Sequence, residues 1–211
     1  LLANLLFALL LLRPTPGRAA AAGLIGSVAL TLHNPVPHMA FALPWIVWIL
    51  TREGGVRLAA CLFAGYAPLC LLLGVGWFWF SGEMSAPAAG PDDGSTLPFA
   101  WPTATVVLAR FVGAAKIWLW AVPGLALLAL AGLWRWRMNH ACVLMALAAL
   151  GTLAIYYFVP FDQGHGWGYR YFHSAWFVLP VLAAAALVRP AAPDEERNAR
   201  HHALRTYVVA C

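Results

Sequence analysis

The sequence predicts an all-α fold, a polytopic transmembrane helix bundle with about seven spans. Hydrophobic residues make up 63% of the 211 residues and charged residues only 10%, whereas soluble domains average about 45–50% and about 25%. The mean hydropathy is +0.75, and the apolar residues form long runs separated by short polar connectors. These observations exclude an ordinary soluble domain and indicate a chain that crosses a lipid bilayer repeatedly.

The predicted spans follow the apolar runs in order. Several runs are shorter than the about 20 residues that a spanning helix needs, so their flanks are included. The spans lie near residues 1–12, 17–34, 36–51, 58–80, 112–134, 141–159 and 174–189. We expect one transmembrane helical domain over 1–211, with an outer loop at 81–102 and an inner tail at 190–211. Apolar runs open and close the chain, so we expect it to be part of a larger membrane protein.

The arginines of the connectors predict which side of the membrane each connector faces. Basic residues near span ends are retained on the cytoplasmic side, and here they occupy alternate connectors: Arg13 and Arg18, Arg52 and Arg57, Arg135 and Arg137, and Arg189 with the tail. The connectors HNPVPH, 81–102 and 161–173 therefore share the outer face. The alternation holds if 112–134 crosses once and 103–111 lies as an amphipathic helix at the interface. Because the formal net charge of +5 is spread over these connectors, we expect no nucleic-acid partner.

One outer connector lies within YYFVPFDQGHGWGYRYFHSAWFVLP, residues 156–180, and concentrates polar and aromatic residues between two apolar runs. Its alternating glycines remove side chains at every second position, so the backbone can turn tightly or approach a ligand. Arg170 follows them, and a guanidinium can bind a phosphate through two parallel hydrogen bonds. Neighbouring rings and hydroxyl groups suit a sugar or an isoprenoid. The predicted substrate-binding residues are Asp162, His165, Trp167, Tyr169, Arg170 and His173, with His33 and His38 from the HNPVPH connector.

A purely structural role for Arg170 is the alternative. Its aliphatic stem would then lie along lipid while the guanidinium reaches the headgroups, or it would pair with Asp162.

A metal site is not expected. His33, His38, His165, His173 and Asp162 include ligand types for zinc, but the spacing of the histidines in HNPVPH matches no usual ligand motif. The cysteines show no CxxC spacing, so the sequence predicts neither a zinc site, a redox motif nor a disulfide framework.

Three stretches, HNPVPHMAFALPWIVWIL, LLLGVGWFWF and above all DQGHGWGYRYFHSAWFVLP, resemble the C-terminal half of bacterial multi-spanning membrane proteins. The similarity is to the C-type glycosyltransferase superfamily, which uses polyprenyl-phosphate sugars and includes protein O-mannosyltransferases and lipid A aminoarabinose transferases. The resemblance covers most of the chain, and GWGYRY is its specific part, since a GWGYRYL-like stretch often precedes a late span in that group.

The resemblance implies a multi-pass glycosyltransferase of the bacterial inner membrane and cell envelope. Such a protein transfers a sugar from a polyprenyl-phosphate donor, at the outer face, to a lipid, glycan or protein, and no cofactor is implied. Arg170, Tyr169, His165 and His33 would line the donor or acceptor cavity and stabilise the charge on the departing lipid phosphate. The catalytic acidic residue of the family lies in a first outer loop that we expect to precede this chain, so no catalytic residue is assigned here.

Two other functions stay open. A secondary transporter would hold its site near mid-membrane on broken helices, often with a buried charge and paired repeats. No acidic residue lies within a predicted span, and the sequence shows no repeat. A noncatalytic membrane assembly subunit would use the same outer connectors to bind a partner.

Overall fold

The structure, a computed structural model, describes residues 1–31, 35–76, 79–80, 101–120, 124–158 and 172–188. These residues are mainly helical, with no β-strand among them, so the predicted all-α fold is confirmed for the described part of the chain. The α-helices are α1 (Leu2–Leu11), α2 (Pro16–Thr31), α3 (Pro35–Leu50), α4 (Gly55–Leu69), α5 (Ala104–Trp120), α6 (Leu125–Arg135), α7 (His140–Ile155) and α8 (Val178–Leu187). Short 3-10 helices cover Tyr156–Phe158 and Phe172–Ser174.

The helix starts follow familiar local chemistry. Pro16 and Pro35 open α2 and α3, where a missing N–H costs nothing because the first turn has no partner for it. Asn139 caps α7, and its Oδ1 accepts hydrogen bonds from the backbone nitrogens of Ala141 and Cys142. Gly54, with φ of 68°, turns the chain into α4, a left-handed conformation that glycine adopts without a Cβ penalty.

The hydrogen-bond pattern changes at the C-terminal end of α4. Pro68 lies inside the helix and has no N–H to donate to the preceding turn. A π-helical segment, Cys70–Val75, follows directly. Wider π turns of this kind commonly accompany such interruptions, so Pro68 accounts for the place where the helix widens.

The region predicted as one span at 112–134 differs from the expectation. α5 runs without a break through the predicted boundary at residues 111 and 112, and α6 begins separately at Leu125. Gly124, with φ of 87°, precedes α6. The sequence Pro123–Gly124 explains the break, because proline ends a helix and glycine permits the left-handed turn.

The pair α2 and α4 makes the most extensive helix contact in the described part of the fold. A Cβ added at Gly23 would overlap the carbonyl oxygen of Leu62, and one added at Gly65 would overlap that of Ala20. The two backbones therefore touch, a packing mode that small residues permit between membrane helices.

The pair α6 and α8 packs in the same way. A Cβ at Gly132 would overlap the carbonyl oxygen of Leu182. At the end of α6, Arg135 donates a hydrogen bond to the carbonyl of Ala186, and Trp136 Nε1 donates one to the carbonyl of Ala185 at 2.9 Å. Since these carbonyls lie at the end of α8, the two helices are parallel and finish on the same side.

The helix α3 contacts α1, α2 and α4 as well as α7. It packs along α7, and α1 lies against α2 and α3. Phe41 and Trp45 of α3 are fully buried, and the Phe41 ring lies 5.7 Å from that of Phe177, measured between centroids. The core therefore runs along α3 and reaches the residues that precede α8.

The outer surface is strongly apolar. Gly55–Val75, with 21 residues and a hydropathy of 2.1, and His140–Phe158, with 19 residues and a hydropathy of 2.0, are long and apolar enough to cross a bilayer. Only 17% of the first window is buried, and Leu71 and Leu72 are more than half exposed. Exposed apolar surface of this extent is typical of a membrane or protein interface. The other apolar helices have 10–17 residues, so a count of seven spans stays a prediction.

Candidate functional site

Most of the predicted substrate-binding residues lie outside the described residues. They are His33 in the range 32–34, and Asp162, His165, Trp167, Tyr169 and Arg170 in the range 159–171. Their roles stay predictions. His38 and His173 are described, and both lie beside a polar contact between α1, α3 and the Phe172–Ser174 turn.

His38 lies in the first turn of α3 and is only 3% exposed. Its Nδ1 is 2.6 Å from Oδ1 of Asn4 in α1, and its Nε2 is 2.6 Å from the hydroxyl of Tyr66 in α4. Phe7 meets the imidazole edge-on, with ring centroids 5.1 Å apart. A buried chain of hydrogen bonds, the Asn4–His38–Tyr66 network, thus joins three helices.

The direction of each bond follows from the inventory of donors. The amide nitrogen of Asn4 donates to the carbonyl of Ser174 at 3.2 Å, which orients its Oδ1 toward His38. An amide oxygen only accepts, so His38 Nδ1 carries the proton in this contact. In the neutral imidazole Nε2 is then an acceptor, and the Tyr66 hydroxyl donates to it. With this assignment every bond of the network has a donor and an acceptor.

Tyr66 fits into the network because α2 offers a glycine opposite its ring. A Cβ at Gly26 would overlap the Tyr66 hydroxyl. Ser27, the next residue, is fully buried, and its Oγ donates to the carbonyl of Leu24 within the same helix at 2.6 Å. The ring is therefore held between α2 and α3.

His173 differs from His38 in its surroundings. It is exposed, and its ring contacts Trp176 edge-on with centroids 5.9 Å apart. The next residue, Ser174, accepts the hydrogen bond from Asn4. The structure therefore brings the start of α3 and the turn that carries His173 to the same end of the bundle, with Asn4 between them. It does not bring the two imidazoles into one open cavity, because that of His38 is buried.

An apolar groove is lined in part by Phe172 of the Phe172–Ser174 turn. α6, α7 and α8 enclose the groove, which has a volume of about 310 Å³. Phe172, the first described residue after 159–171, is among its lining residues. The larger aliphatic side chains of the groove are Leu130, Leu133, Leu150, Leu153, Leu179 and Leu182. A groove without polar lining groups suits an apolar chain and offers nothing to orient a polar ligand.

Aromatic and basic groups lie near the end of α7. Arg110 of α5 donates its Nε to the carbonyl of Tyr156 at 3.3 Å. Tyr156 follows Leu153, a groove residue, by about one helical turn. The ring of Trp101 lies 6.0 Å from that of Phe158. A cation and several rings therefore lie where α7 leads into the polar connector.

Comparison of the chain with family models, curated proteins and solved structures found no match. Among the described residues, no group of three or more His, Cys, Asp or Glu side chains could hold a metal ion. Of the metal-ligand set considered from the sequence, only His38 and His173 fall within the described ranges, so the expectation of no metal stays a prediction.

Sequence reasoning missed Asn4 and Tyr66. Both are polar groups in apolar helices, and a buried amide or hydroxyl costs free energy unless it has a partner. That cost was the available signal, because LLANLLFALLLL contains one amide among apolar residues. The partner itself was not predictable, since Asn4 and His38 are separated by 34 positions.

Proposed function

We propose that this chain is part of an integral membrane glycosyltransferase that takes a sugar from a polyprenyl-phosphate donor. In this proposal the chain spans the bacterial inner membrane about seven times, and the connector at 161–173 faces outward. The polyprenyl chain occupies the groove between α6, α7 and α8. The phosphate lies at the groove end marked by Phe172, where the GWGYRY stretch with Arg170 joins the helix bundle.

The observation that carries the proposal is the apolar groove. Its lining is apolar and includes Phe172, which follows the GWGYRY stretch closely in the chain. An apolar channel joined to a polar and cationic end matches a ligand that has an isoprenoid tail and a phosphate head. A ligand without a tail would leave the groove unused.

The described surroundings of this end support the same ligand. Arg110 is held at the carbonyl of Tyr156, so a guanidinium lies near the place where the phosphate is proposed. Trp101 and Phe158 add ring faces there, and such faces pack against sugars or isoprenoid units. No residue is assigned as the general base.

The test uses the full-length protein in lipid nanodiscs. A polyprenyl-phosphate sugar is added, and release of polyprenyl phosphate is followed by mass spectrometry. Ala126, which lines the groove on α6, is replaced by Phe to fill it. Because overfilling an apolar site costs about 1–3 kcal/mol, we expect release to fall by about tenfold.

Ala131→Phe is the matched control, since Ala131 is exposed on the same helix and does not line the groove. Its release should equal that of the unchanged protein. If both variants release as much polyprenyl phosphate as the unchanged protein, a lipid chain in the groove is refuted. The groove would then be the binding place of a helix from the same protein or from a partner. Uptake of the sugar into vesicles without release of lipid phosphate would favour the transporter instead.

A further inference from the structure

The buried amide of Asn4 connects α1 to the segment that leads into α8. Asn4 is only 2% exposed, and both atoms of its amide group are used. Its Oδ1 accepts from His38, and its Nδ2 donates to the backbone carbonyl of Ser174 at 3.2 Å. The second bond joins residues 170 positions apart. The N-terminal helix therefore holds the Phe172–Ser174 turn by a polar contact.

This turn continues into α8 through backbone hydrogen bonds. The amide of Ala175 donates to the carbonyl of Phe172 at 2.9 Å, and the amide of Val178 donates to the carbonyl of Ala175 at 3.0 Å. Phe172 and Val178 both line the apolar groove, and Asn4 does not. Because these bonds tie the turn to the start of α8, a contact that fixes the turn also fixes two walls of the groove.

Apolar packing around the turn lacks the directionality of the Asn4 bond. Phe172 is buried, and its ring meets that of Trp176 edge-on with centroids 6.0 Å apart. Burial of such rings stabilises the turn, but the hydrophobic effect is non-directional. A hydrogen bond weakens steeply when its angle departs from the preferred range. Asn4 therefore supplies the constraint that specifies where the turn lies.

The network orients the Asn4 amide toward the turn. The buried hydroxyls of Ser27 and Thr152 donate to carbonyls of their own helices, so a buried polar group can be satisfied locally. Asn4 instead receives the Nδ1 proton of His38, which accepts in turn from Tyr66. With the amide oxygen held in this way, the amide nitrogen points to Ser174.

We propose that Asn4 is a positioning residue of the groove: through Ser174 it holds the turn that places Phe172 and Val178 against an apolar ligand chain. Asn4 does not contact that chain. The effect on donor binding rests on the proposed function, whereas the position of the turn does not.

The position of the turn is measured by double electron–electron resonance on the full-length protein in lipid nanodiscs. In a cysteine-free background, spin labels are attached at His173 and Met138, both exposed. α7 lies between them in the chain and is about 24 Å long at the usual rise per residue. We expect Asn4→Ala to broaden or displace the distance distribution, because the turn loses its hydrogen bond to α1.

Asn4→Leu is a second variant for the case that Asn4→Ala does not fold. Leucine has the same branching as asparagine and fills the space, but it has no N–H to donate. It should change the distance distribution in the same way, and an unchanged distribution in this variant would contradict the proposal.

Tyr66→Phe is the matched control. It removes a hydrogen bond at the other end of the network and leaves the bond between Asn4 and Ser174 in place. Its distance distribution should match that of the unchanged protein. The proposal is overturned if the Asn4 and Tyr66 variants give the same distribution, whether narrow or broadened, because the turn would then not depend on Asn4 in particular.

Kinetics of polyprenyl-phosphate release test the consequence for the groove. In Asn4→Leu we expect the KM for the polyprenyl-phosphate sugar to rise by roughly two- to tenfold, the range that one neutral hydrogen bond is worth. The kcat should not change, since the tail binds equally in the ground state and the transition state. A loss of folded protein alone would lower kcat and leave KM unchanged.

The two measurements separate this inference from the proposed function. A displaced turn with an unchanged KM would overturn the role of Asn4 in the groove. If the unchanged protein releases no polyprenyl phosphate, the proposed function is refuted, and the distance distributions still decide whether Asn4 positions the turn.

Discussion

Among the buried polar side chains of the described residues, two kinds of hydrogen bonding occur. Ser27 and Thr152 donate to carbonyls of their own helices, Leu24 and Ala148. Asn4 and His38 instead bond across helices. Local bonds satisfy a hydroxyl in any arrangement of helices, whereas the Asn4–His38–Tyr66 network is satisfied only when α1, α3 and α4 are in register. Its residues therefore specify the packing as well as stabilise it.

The hydroxyl of Tyr66 gives the first test of this role. Tyr66→Phe keeps the ring but leaves His38 Nε2 buried without a donor, so we expect a loss of about 1–3 kcal/mol in the free energy of unfolding. The measurement is reversible unfolding of the purified full-length protein in detergent. Tyr157→Phe is the control, because Tyr157 is only half-buried, and an equal loss in both variants would argue against the network.

A double-mutant cycle separates the network from simple burial. Asn4→Ala and Tyr66→Phe each remove one contact to His38 and do not replace it. Because both act through the same imidazole, their effects on the free energy of unfolding should not add, and the coupling should be about 0.5–3 kcal/mol. Strict additivity in the same unfolding assay would show that the two bonds are independent.

Helix pairs in this protein depend on the absence of side chains at particular positions. Gly23 lets α2 approach α4, and Gly132 lets α6 approach α8. Alanine at an open helical position is favoured over glycine by about 0.5–1 kcal/mol. At these contacts we expect a glycine-to-alanine substitution to destabilise the fold instead. The added Cβ would overlap backbone atoms that cannot move without separating the helices.

Gly23→Ala is therefore expected to lower the free energy of unfolding by about 1–3 kcal/mol. Gly17→Ala in the same helix has no atom within 4 Å of the added Cβ and should be neutral or slightly stabilising. Thermal unfolding of the two variants in detergent compares them directly. Similar transition temperatures would contradict the close contact between α2 and α4.

The sequence predicted the position of a helix well where one apolar run spans the whole helix. It predicted helix ends less well where proline and glycine determine them. α1 and α3 lie at Leu2–Leu11 and Pro35–Leu50, inside or next to the apolar runs. The break before α6 was not predicted, because residues 112–134 are apolar on both sides of Pro123–Gly124 and hydropathy does not register a turn.

The arrangement of the whole molecule in the membrane has a direct test. In a cysteine-free background, single cysteines at Asn34 and Gln163 should react with a membrane-impermeant thiol reagent from the same side. A cysteine at Arg52 should react only from the other side, since basic connectors are retained in the cytoplasm. Labelling of Asn34 and Gln163 from opposite sides would separate the outer connectors and remove the proposed donor site.

The part of the candidate site that depends on local sequence could be predicted, and the part that depends on contacts between distant helices could not. The polar connector at 161–173 stands out in sequence because charges are expensive within a bilayer. His38 was predicted as a site residue because it closes the HNPVPH connector, yet its partners Asn4 and Tyr66 come from other helices and depend on tertiary packing. Composition therefore identified polar groups, and only the fold shows which of them are already satisfied by each other.

The parallel pair of α6 and α8 has a geometric consequence. α7 lies between them in the chain, so it must return in the opposite direction if both neighbours finish at the same level. Met138 precedes α7 and Phe172 follows it, so the two residues are at opposite ends of the bundle. This conclusion does not depend on which connectors carry arginine. One reporter attached to either end of α7 would fix the orientation of this three-helix unit in the cell.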